Sequence, residues 1–404
     1  MHIHGLSKLV DLPGWVLESG SFKVGVLVFN LRRDARLMLA CPKCEKAMTL
    51  SRMSQHSIKD LGMGPGLRME LQYEAPQGRC RRCGIYETFH PPGVDAASGT
   101  TARYRQFVSS LCRMMTQTDA GELMGIAQST VWKIDFRYLK EHLPPPSLNG
   151  LEAILVDENA VRCGELYATF VINARTGELL YQGEGKRSET LTAFFDQLTP
   201  EQKASIKAVC IDRSGAFKDA ITTSLPHAAI VYDKFHLIAN YHAVLDQVRR
   251  DAWHAADVDA KTFIKGQRYN LFRNVENLRP EMLLELDALL RSNADISAAY
   301  ILRDQFKSIW SFPTAEGMRA ALDQWVELAQ QSGVAAVMRF AKNIVKSTKE
   351  IVAYAIHKIT NGPMEGFNNL VSRVIHRGNG VRSLPYLFLQ LRAETIPALV
   401  CGVK

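Results

Sequence analysis

The spacing of apolar residues changes rhythm three times along this 404-residue chain, and each rhythm predicts a different architecture. Up to about residue 90, apolar and polar positions tend to alternate. Leu67-Arg-Met-Glu-Leu-Gln-Tyr73 is the clearest case and reads as a strand with one buried face. Residues 1–40 read as short strands with Gly-rich turns, and Val24-Gly-Val-Leu-Val-Phe29 as a buried strand far too short to span a bilayer. From about Tyr104 to Leu143 the period becomes helical, until Pro144-Pro-Pro146 stops it. Strand-like runs return at 152–156, 167–173, 178–182, 206–211 and 228–232, with helical patterns over Ser188–Leu198 and Gly215–Ser224. Three closely spaced strands followed by alternating helix and strand predict an α/β domain that begins as an antiparallel meander. After Asp233 the pattern is helical almost to the end.

Length and punctuation divide the chain further. A chain of this size accommodates two to four domains, and its 47% hydrophobic content is ordinary for a globular protein. The turn-rich stretch Pro91–Gly99 reads as a linker. The net charge of +8 is uneven: residues 1–150 hold 19 Lys and Arg against 13 Asp and Glu. A basic amino-terminal third suits a polyanionic partner, although charge alone also fits a solvated basic surface. The first residues lack a charged region followed by a long apolar one, so no secretory signal is expected. Eight cysteines are too few for a disulfide scaffold in a chain this long, and four of them form two CxxC pairs. That usage fits a reducing cytoplasm with metal-bound thiolates.

Cys41-Pro-Lys-Cys44 and Cys80-Arg-Arg-Cys83 have the spacing of two zinc knuckles, and Zn²⁺ takes four thiolates tetrahedrally. The 35 residues between the pairs exceed the common ribbon spacing, so the insert needs strands of its own. A redox pair is the weaker reading, because one CxxC would suffice for it. His56 and His90 are spare ligand candidates that read better as surface histidines. Cys112, Cys163, Cys210 and Cys401 read as packing residues.

Asp119–Lys133 has the cadence of a helix-turn-helix. A short helix over 119–125 leads into a small-residue turn (Ile126–Gln128), and Ser129 caps a second helix. Such a second helix lies in the major groove, with Gln128, Ser129, Thr130, Lys133 and Arg137 facing DNA. A helical hairpin joining two domains would look similar.

Three acids carry the candidate chemistry. Asp157 and Asp212 each end an apolar strand-like run, and Glu365 follows the helix start Thr360-Asn-Gly-Pro-Met. In a ribonuclease-H-like fold the first and fourth strands lie side by side, which makes the two aspartates neighbours. Glu365 lies 153 residues beyond Asp212, which leaves room for an inserted helical domain. Converging carboxylates of this kind hold paired divalent ions that drive in-line displacement at phosphorus. Asn368 and Asn369 lie one turn after Glu365 and share its face. Glu158 is a competing acid that would point away from Asp157 if the strand continues.

These pieces, in this order, resemble the DDE transposases of the ISL3 insertion-sequence family. The matching stretches are the two cysteine pairs, Val156-Asp157-Glu158, Ile211-Asp212-Arg213-Ser214, Leu225–His236 with its Asp233-Lys-Phe-His236 block, and Asn361-Gly-Pro-Met-Glu365-Gly-Phe-Asn368-Asn369. The chain departs from the family at the end of the glutamate helix, where the family tends to have a basic-aromatic run and this chain reads Ile375-His-Arg377-Gly-Asn-Gly380. The resemblance implies a multidomain α/β protein in five parts. They are a zinc-binding domain (1–98), a helix-turn-helix (99–148), an RNase H-like catalytic domain (149–250), a helical insertion (251–355) and carboxy-terminal catalytic helices (356–404). It implies Asp157, Asp212 and Glu365 as ligands of two Mg²⁺ or Mn²⁺ ions, and a structural Zn²⁺ on Cys41, Cys44, Cys80 and Cys83. It also implies double-stranded DNA as partner, a homodimer or larger assembly, and bacterial, nucleoid-associated action. Asp233 and His236 read either as a helix cap with packing or as groups supporting the site or the DNA end. Arg373, His376, Arg377 and Arg382 form a basic cluster suited to DNA backbone contact.

Overall fold

The computed structural model describes residues 12–64, 67–162 and 166–396. The chain divides into two compact units, Met1–Pro144 with Arg373–Lys404, and Pro145–Ser372.

In the first unit, β1 (Trp15–Lys23) and β2 (Val26–Arg33) form an antiparallel hairpin closed by Val24 and Gly25. Both turn residues have positive φ (39° and 77°), as a two-residue turn of the primed kind requires. Val24 is therefore 98% exposed, and the strand expected from residue 24 starts at Val26. β3 (Thr49–Gly64) and β4 (Leu67–Arg79) make a long second hairpin. Alternation along β4 buries Met69, Leu71 and Tyr73, as the sequence predicts. β5 (Tyr86–Thr88), β6 (Val94–Asp95) and β7 (Thr100–Thr101) complete a seven-stranded sheet of order β1-β2-β4-β3-β7-β6, with β5 on β4. The expected linker 91–99 is thus partly sheet, and the Lys59 amide bonds the Gly99 carbonyl at 2.9 Å.

Three helices follow: α1 (Ala102–Met114), α2 (Gln117–Met124) and α3 (Gln128–His142). Thr101 and Thr116 cap the first two through their side chains, and Val108, Leu111, Ala120, Val131 and Ile134 form the core between them.

The second unit holds β8 (Ala153–Arg162), β9 (Leu166–Asn173) and β10 (Leu179–Glu184) as an antiparallel meander. It continues through α4 (Ser188–Phe195), α5 (Pro200–Ser205), β11 (Ala208–Ile211), α6 (Gly215–Ser224) and β12 (Ala229–Tyr232). β11 runs parallel to both β8 and β12, giving the order β10-β9-β8-β11-β12. Beyond it the chain is helical, as predicted: α7 (Lys234–Ala255), α8 (Val258–Gly266), α9 (Arg268–Phe272), α10 (Pro280–Ser292), α11 (Ala294–Ser308), α12 (Ala315–Gln331), α13 (Ala335–Val345) and α14 (Thr348–His357). Tyr241, Phe306, Trp325 and Phe340 meet at ring separations of 4.7–6.0 Å and anchor this helical region.

α15 (Gly362–Arg377) buries Met364, Phe367 and Val371, and Phe367 meets Phe170 of β9 at 5.2 Å. α16 (Leu384–Thr395) belongs to the first unit, where Tyr386 and Ala393 pack with Leu139 of α3.

Candidate active site and metal-binding residues

The four cysteines converge through two copies of one local design. In each pair the chain turns back after the second cysteine through a residue of positive φ, Glu45 (58°) and Gly84 (70°). The amides of those residues bond the carbonyls of Cys41 and Cys80 at 2.8 and 2.9 Å. Gly84 does this without strain; Glu45 holds the same pose with a side chain. The four sulfurs lie within 4.8 Å of one another, and Cys44 Sγ is 3.7 Å from Cys80 Sγ. Zinc bonded at about 2.3 Å in a tetrahedron places its sulfurs about 3.8 Å apart, so the cluster fits the ion. The Cys83 amide donates to Cys80 Sγ and holds that thiol near 7, in the range where a metal displaces its proton; the thiol of Cys83, hydrogen-bonded to Cys44, is pushed up to about 12. His56 and His90 are not isolated surface histidines. They meet edge-on at 4.8 Å around Tyr73, whose hydroxyl pairs with His90 Nδ1 at 3.0 Å. Cys112 and Cys210 are buried, as expected of packing residues; Cys163 and Cys401 lie outside the described residues.

The second unit brings acids together by strand register. Ala208 pairs with Ala153 and Cys210 with Leu155, so Asp212, just past β11, stands level with Asp157 on β8. Tyr232 pairs with Ile211, which puts Asp233 level with Asp212 on the far side. Three aspartates thus occupy one row across neighbouring strands roughly 4.8 Å apart. Asp157 lies inside β8, which runs on to Arg162, and not at its end. Burial pushes its carboxyl above the usual range, and Asp212 adds to the shift; Asn368 Nδ2, 2.9 Å away, and the Glu158 amide pull it back. Glu158 is likewise raised by burial, then by Asp212 and Asp157, and among the described residues its Oε2 is buried without a hydrogen-bond partner.

Glu365 sits exposed in the first turn of α15, one turn before Asn368. Asn368 therefore binds Asp157, 211 residues away in sequence. Asn159, two residues after Asp157 on the same strand face, reaches Asn368 Oδ1 at 3.4 Å. Sequence reasoning missed Asn159; period-two alternation from Asp157 is the signal that finds it. Among the described residues, only the four cysteines form a set of three or more metal-ligating groups with all ligand atoms within 4.8 Å; the acids stand in a more open arrangement.

Asp233 caps α7 by accepting the His236 amide at 3.0 Å, and its Oδ2 also takes His236 Nδ1 at 2.8 Å. His236 is not packed beneath the cap: its side chain is 47% exposed. The Asp233 hydrogen bond, with Asp157 and Asp212 behind it, raises the imidazole to about 9.

In the first unit α3 starts two residues earlier than expected. Gly125, at φ 63°, ends α2, and the Ile126 amide bonds the Gly121 carbonyl at 2.9 Å, so the chain re-enters helix at Gln128. A Cβ on Gly121 would meet that Ile126 carbonyl oxygen at 2.7 Å, which keeps the position glycine. Ala127 is the cap residue and bonds no amide through its side chain, so Ser129 lies in the first turn and is not the cap. Ser129, Thr130 and Lys133 are exposed and Gln128 is half-buried. Arg137 pairs with Asp95 at 2.8 Å and Glu141 at 2.7 Å. Arg373 is exposed, whereas Arg377 bonds the Arg113 carbonyl and pairs with Glu394, which spends its charge inside the fold.

A family model for DDE transposases of the ISL3 type, described as "Transposase", matches residues 154–391, which takes in all three acids and the Asp233–His236 block. The chain belongs to the ISL3 family of DDE transposases. It is 31% identical over 373 residues to the transposase for insertion sequence element IS1001 of Bordetella parapertussis, covering 91% of each chain. It is 27% identical over 398 residues to the transposase for insertion sequence element IS1557 of Mycobacterium tuberculosis, covering 92% of this chain and 88% of that one. Membership of the family makes this an insertion-sequence transposase with DNA as its partner and divalent metal in its chemistry. Among the described residues no helix is long and apolar enough to cross a membrane.

Proposed function

We propose that the chain binds the terminal inverted repeats of its insertion sequence and carries out metal-dependent cleavage and strand transfer at their ends. The observation that carries this is the register that sets Asp157 level with Asp212, joined to Asn368, which ties the glutamate helix to Asp157. The strand order, a meander followed by two parallel strands on the side of β8, supports reading this part as an RNase H-like domain. Asp157, Asp212 and Glu365 would hold Mg²⁺ or Mn²⁺. The donor set suits hard cations; burial first, then the neighbouring carboxylates, raises Asp157 and Glu158, and a bound cation would offset both by stabilising the ionised forms. Metal held by these residues would supply activation of the attacking hydroxyl and stabilisation of the charge on the leaving oxygen.

The remaining work falls to the chain itself. Asn368 fixes the Asp157 carboxylate, and Glu365, exposed one turn earlier on α15, would reach the same edge of the sheet. Cys41, Cys44, Cys80 and Cys83 hold a structural Zn²⁺. We read α2 and α3 as a helix-turn-helix, with Gln128, Ser129, Thr130 and Lys133 as the residues that meet DNA. Two element ends must be cut and joined in concert, so the working form is a dimer or larger assembly.

The test is a cleavage and strand-transfer assay on duplexes carrying the repeats that flank the gene, with Mg²⁺ or Mn²⁺. Metal-dependent 3′-end joining that disappears in Asp157→Ala, Asp212→Ala and Glu365→Ala supports the reading. Binding without chemistry in the native chain would make it a DNA-binding regulator. Cleavage without joining would make it a nuclease, and cutting that survives Glu365→Ala would displace that residue as a ligand.

A further inference from the structure

We propose that His236 is a catalytic residue of this transposase, donating through Nε2 to a non-bridging oxygen of the phosphate being cut, with Asp233 as its positioning residue. The inference rests on the reading of Asp157, Asp212 and Glu365 given above. Asp233 is 1% exposed, and one of its oxygens does all the bonding: Oδ2 accepts the His236 amide and His236 Nδ1. Among the described residues, Oδ1 is buried without a hydrogen-bond partner.

A helix cap does not require this. Thr101, Thr116, Ser214 and Ser383 cap other helices of the chain with neutral hydroxyls. A buried carboxylate with an unpaired oxygen costs stability, so its charge calls for a purpose beyond the cap. The group that uses it is the imidazole. The bond to Asp233 puts a proton on Nδ1, sets the ring plane and favours the imidazolium, in which Nε2, on the far side of the ring from that bond, carries a proton as well.

The surroundings identify the ligand class. Asp233 stands level with Asp212, which stands level with Asp157, so the α7 start shares a sheet edge with the metal-binding carboxylates. His236 could join them as a metal ligand, but Mg²⁺ and Mn²⁺ prefer oxygen donors and imidazole suits softer ions. An anion is the partner that a fixed N–H donor beside a hard-cation site is built to take, and the anion this enzyme handles is a DNA phosphodiester.

The experiment uses the full-length protein and two terminal-repeat duplexes, one natural and one carrying a neutral methylphosphonate at the cleaved position. Native protein should bind the natural duplex about tenfold or more tightly, as loss of a charge-assisted hydrogen bond requires. His236→Ala and His236→Gln should lose that preference while binding the methylphosphonate duplex as native protein does. Asp233→Asn keeps an amide-accepting cap, so it should melt close to native yet lose part of the preference. Mn²⁺ affinity of the free protein, read by paramagnetic resonance, should stay within about twofold in all three variants.

Equal weakening on both duplexes would overturn the proposal in favour of a structural role. A fall in Mn²⁺ affinity would make His236 a metal ligand. A native protein indifferent to the methylphosphonate would also refute the contact. The acid variants keep the two readings apart. If Asp157→Ala cleaves normally, the underlying assignment fails; if it is inactive while His236→Ala retains the phosphate preference, only this inference fails.

Discussion

Replacing Tyr386 by Phe removes one oxygen from a buried polar network of the first unit. Asp135 of α3 is 1% exposed and is satisfied by two hydroxyls, Ser109 Oγ at 2.6 Å and Tyr386 Oη from α16. Phe retains the packing of the ring against Trp132 and Phe136, at 5.8 and 5.7 Å, so the apolar contribution hardly changes. What is lost is a hydrogen bond to a buried charged acceptor, about 1.5–3 kcal/mol. Gln117, which donates to the same hydroxyl at 2.6 Å, is only half-buried and can turn to water, so it adds little. Burial pushes the Asp135 carboxyl up, and the two hydroxyl donors pull it back down. Since its folded value lies above the unfolded one, this group destabilises the fold as pH rises through that value. Removing a donor sharpens the effect, so the cost of Tyr386→Phe should be greatest at neutral pH and shrink in acid. Urea unfolding followed by tryptophan fluorescence gives the difference, and hydrogen exchange of the α3 amides localises it. In an Asp135→Asn background, where the acceptor is neutral, the same change should cost only about 0.5–1.5 kcal/mol. A loss below about 0.5 kcal/mol at pH 7, or one unaffected by Asp135→Asn, refutes this account.

Three further outcomes are expected. Native protein should carry zinc by elemental analysis and Cys80→Ala should not, with faster hydrogen exchange at the β4 and β5 ends; a metal-free native protein would refute the four-thiolate site. Asp157→Asn should raise the melting temperature of metal-free protein by about 2–4 °C while abolishing the stabilisation Mg²⁺ confers, because Asn imitates the protonated form that burial and Asp212 favour; a fall in both would show that the carboxylate is needed for folding. His242 stacks on Phe272 at 5.1 Å, and burial, then Lys307 and Arg303, hold its ring down to about 4. The neutral ring is the folded form, so this contribution is complete above about 6.5 and lost as pH falls toward 4. His242→Phe should flatten the acid limb of the stability profile, and an unchanged limb would count against it.

The sequence by itself determined what local spacing determines. Alternation in β4, the boundaries of α6, the two cysteine pairs and the aspartates at 157 and 212 follow from side-chain periodicity and turn chemistry, which act over a few residues. Even the interval of 55 residues between those aspartates equals the register offset of the parallel strands that carry them, although only the pairing of β8 with β11 turns that number into a level row. Tertiary structure decided the rest. Val24 reads as strand by composition, but hairpin closure demanded positive φ there and turned it into the tip. Arg377 reads as a DNA contact, but the Arg113 carbonyl and Glu394 claim its guanidinium. Asn368 reads as support for Glu365 and instead holds Asp157, and Asp135 becomes a buried acceptor only because α16, some 250 residues later, brings Tyr386 to it. Periodicity reports which face of an element is buried; which distant group meets it depends on how whole elements pack, and no local pattern encodes that.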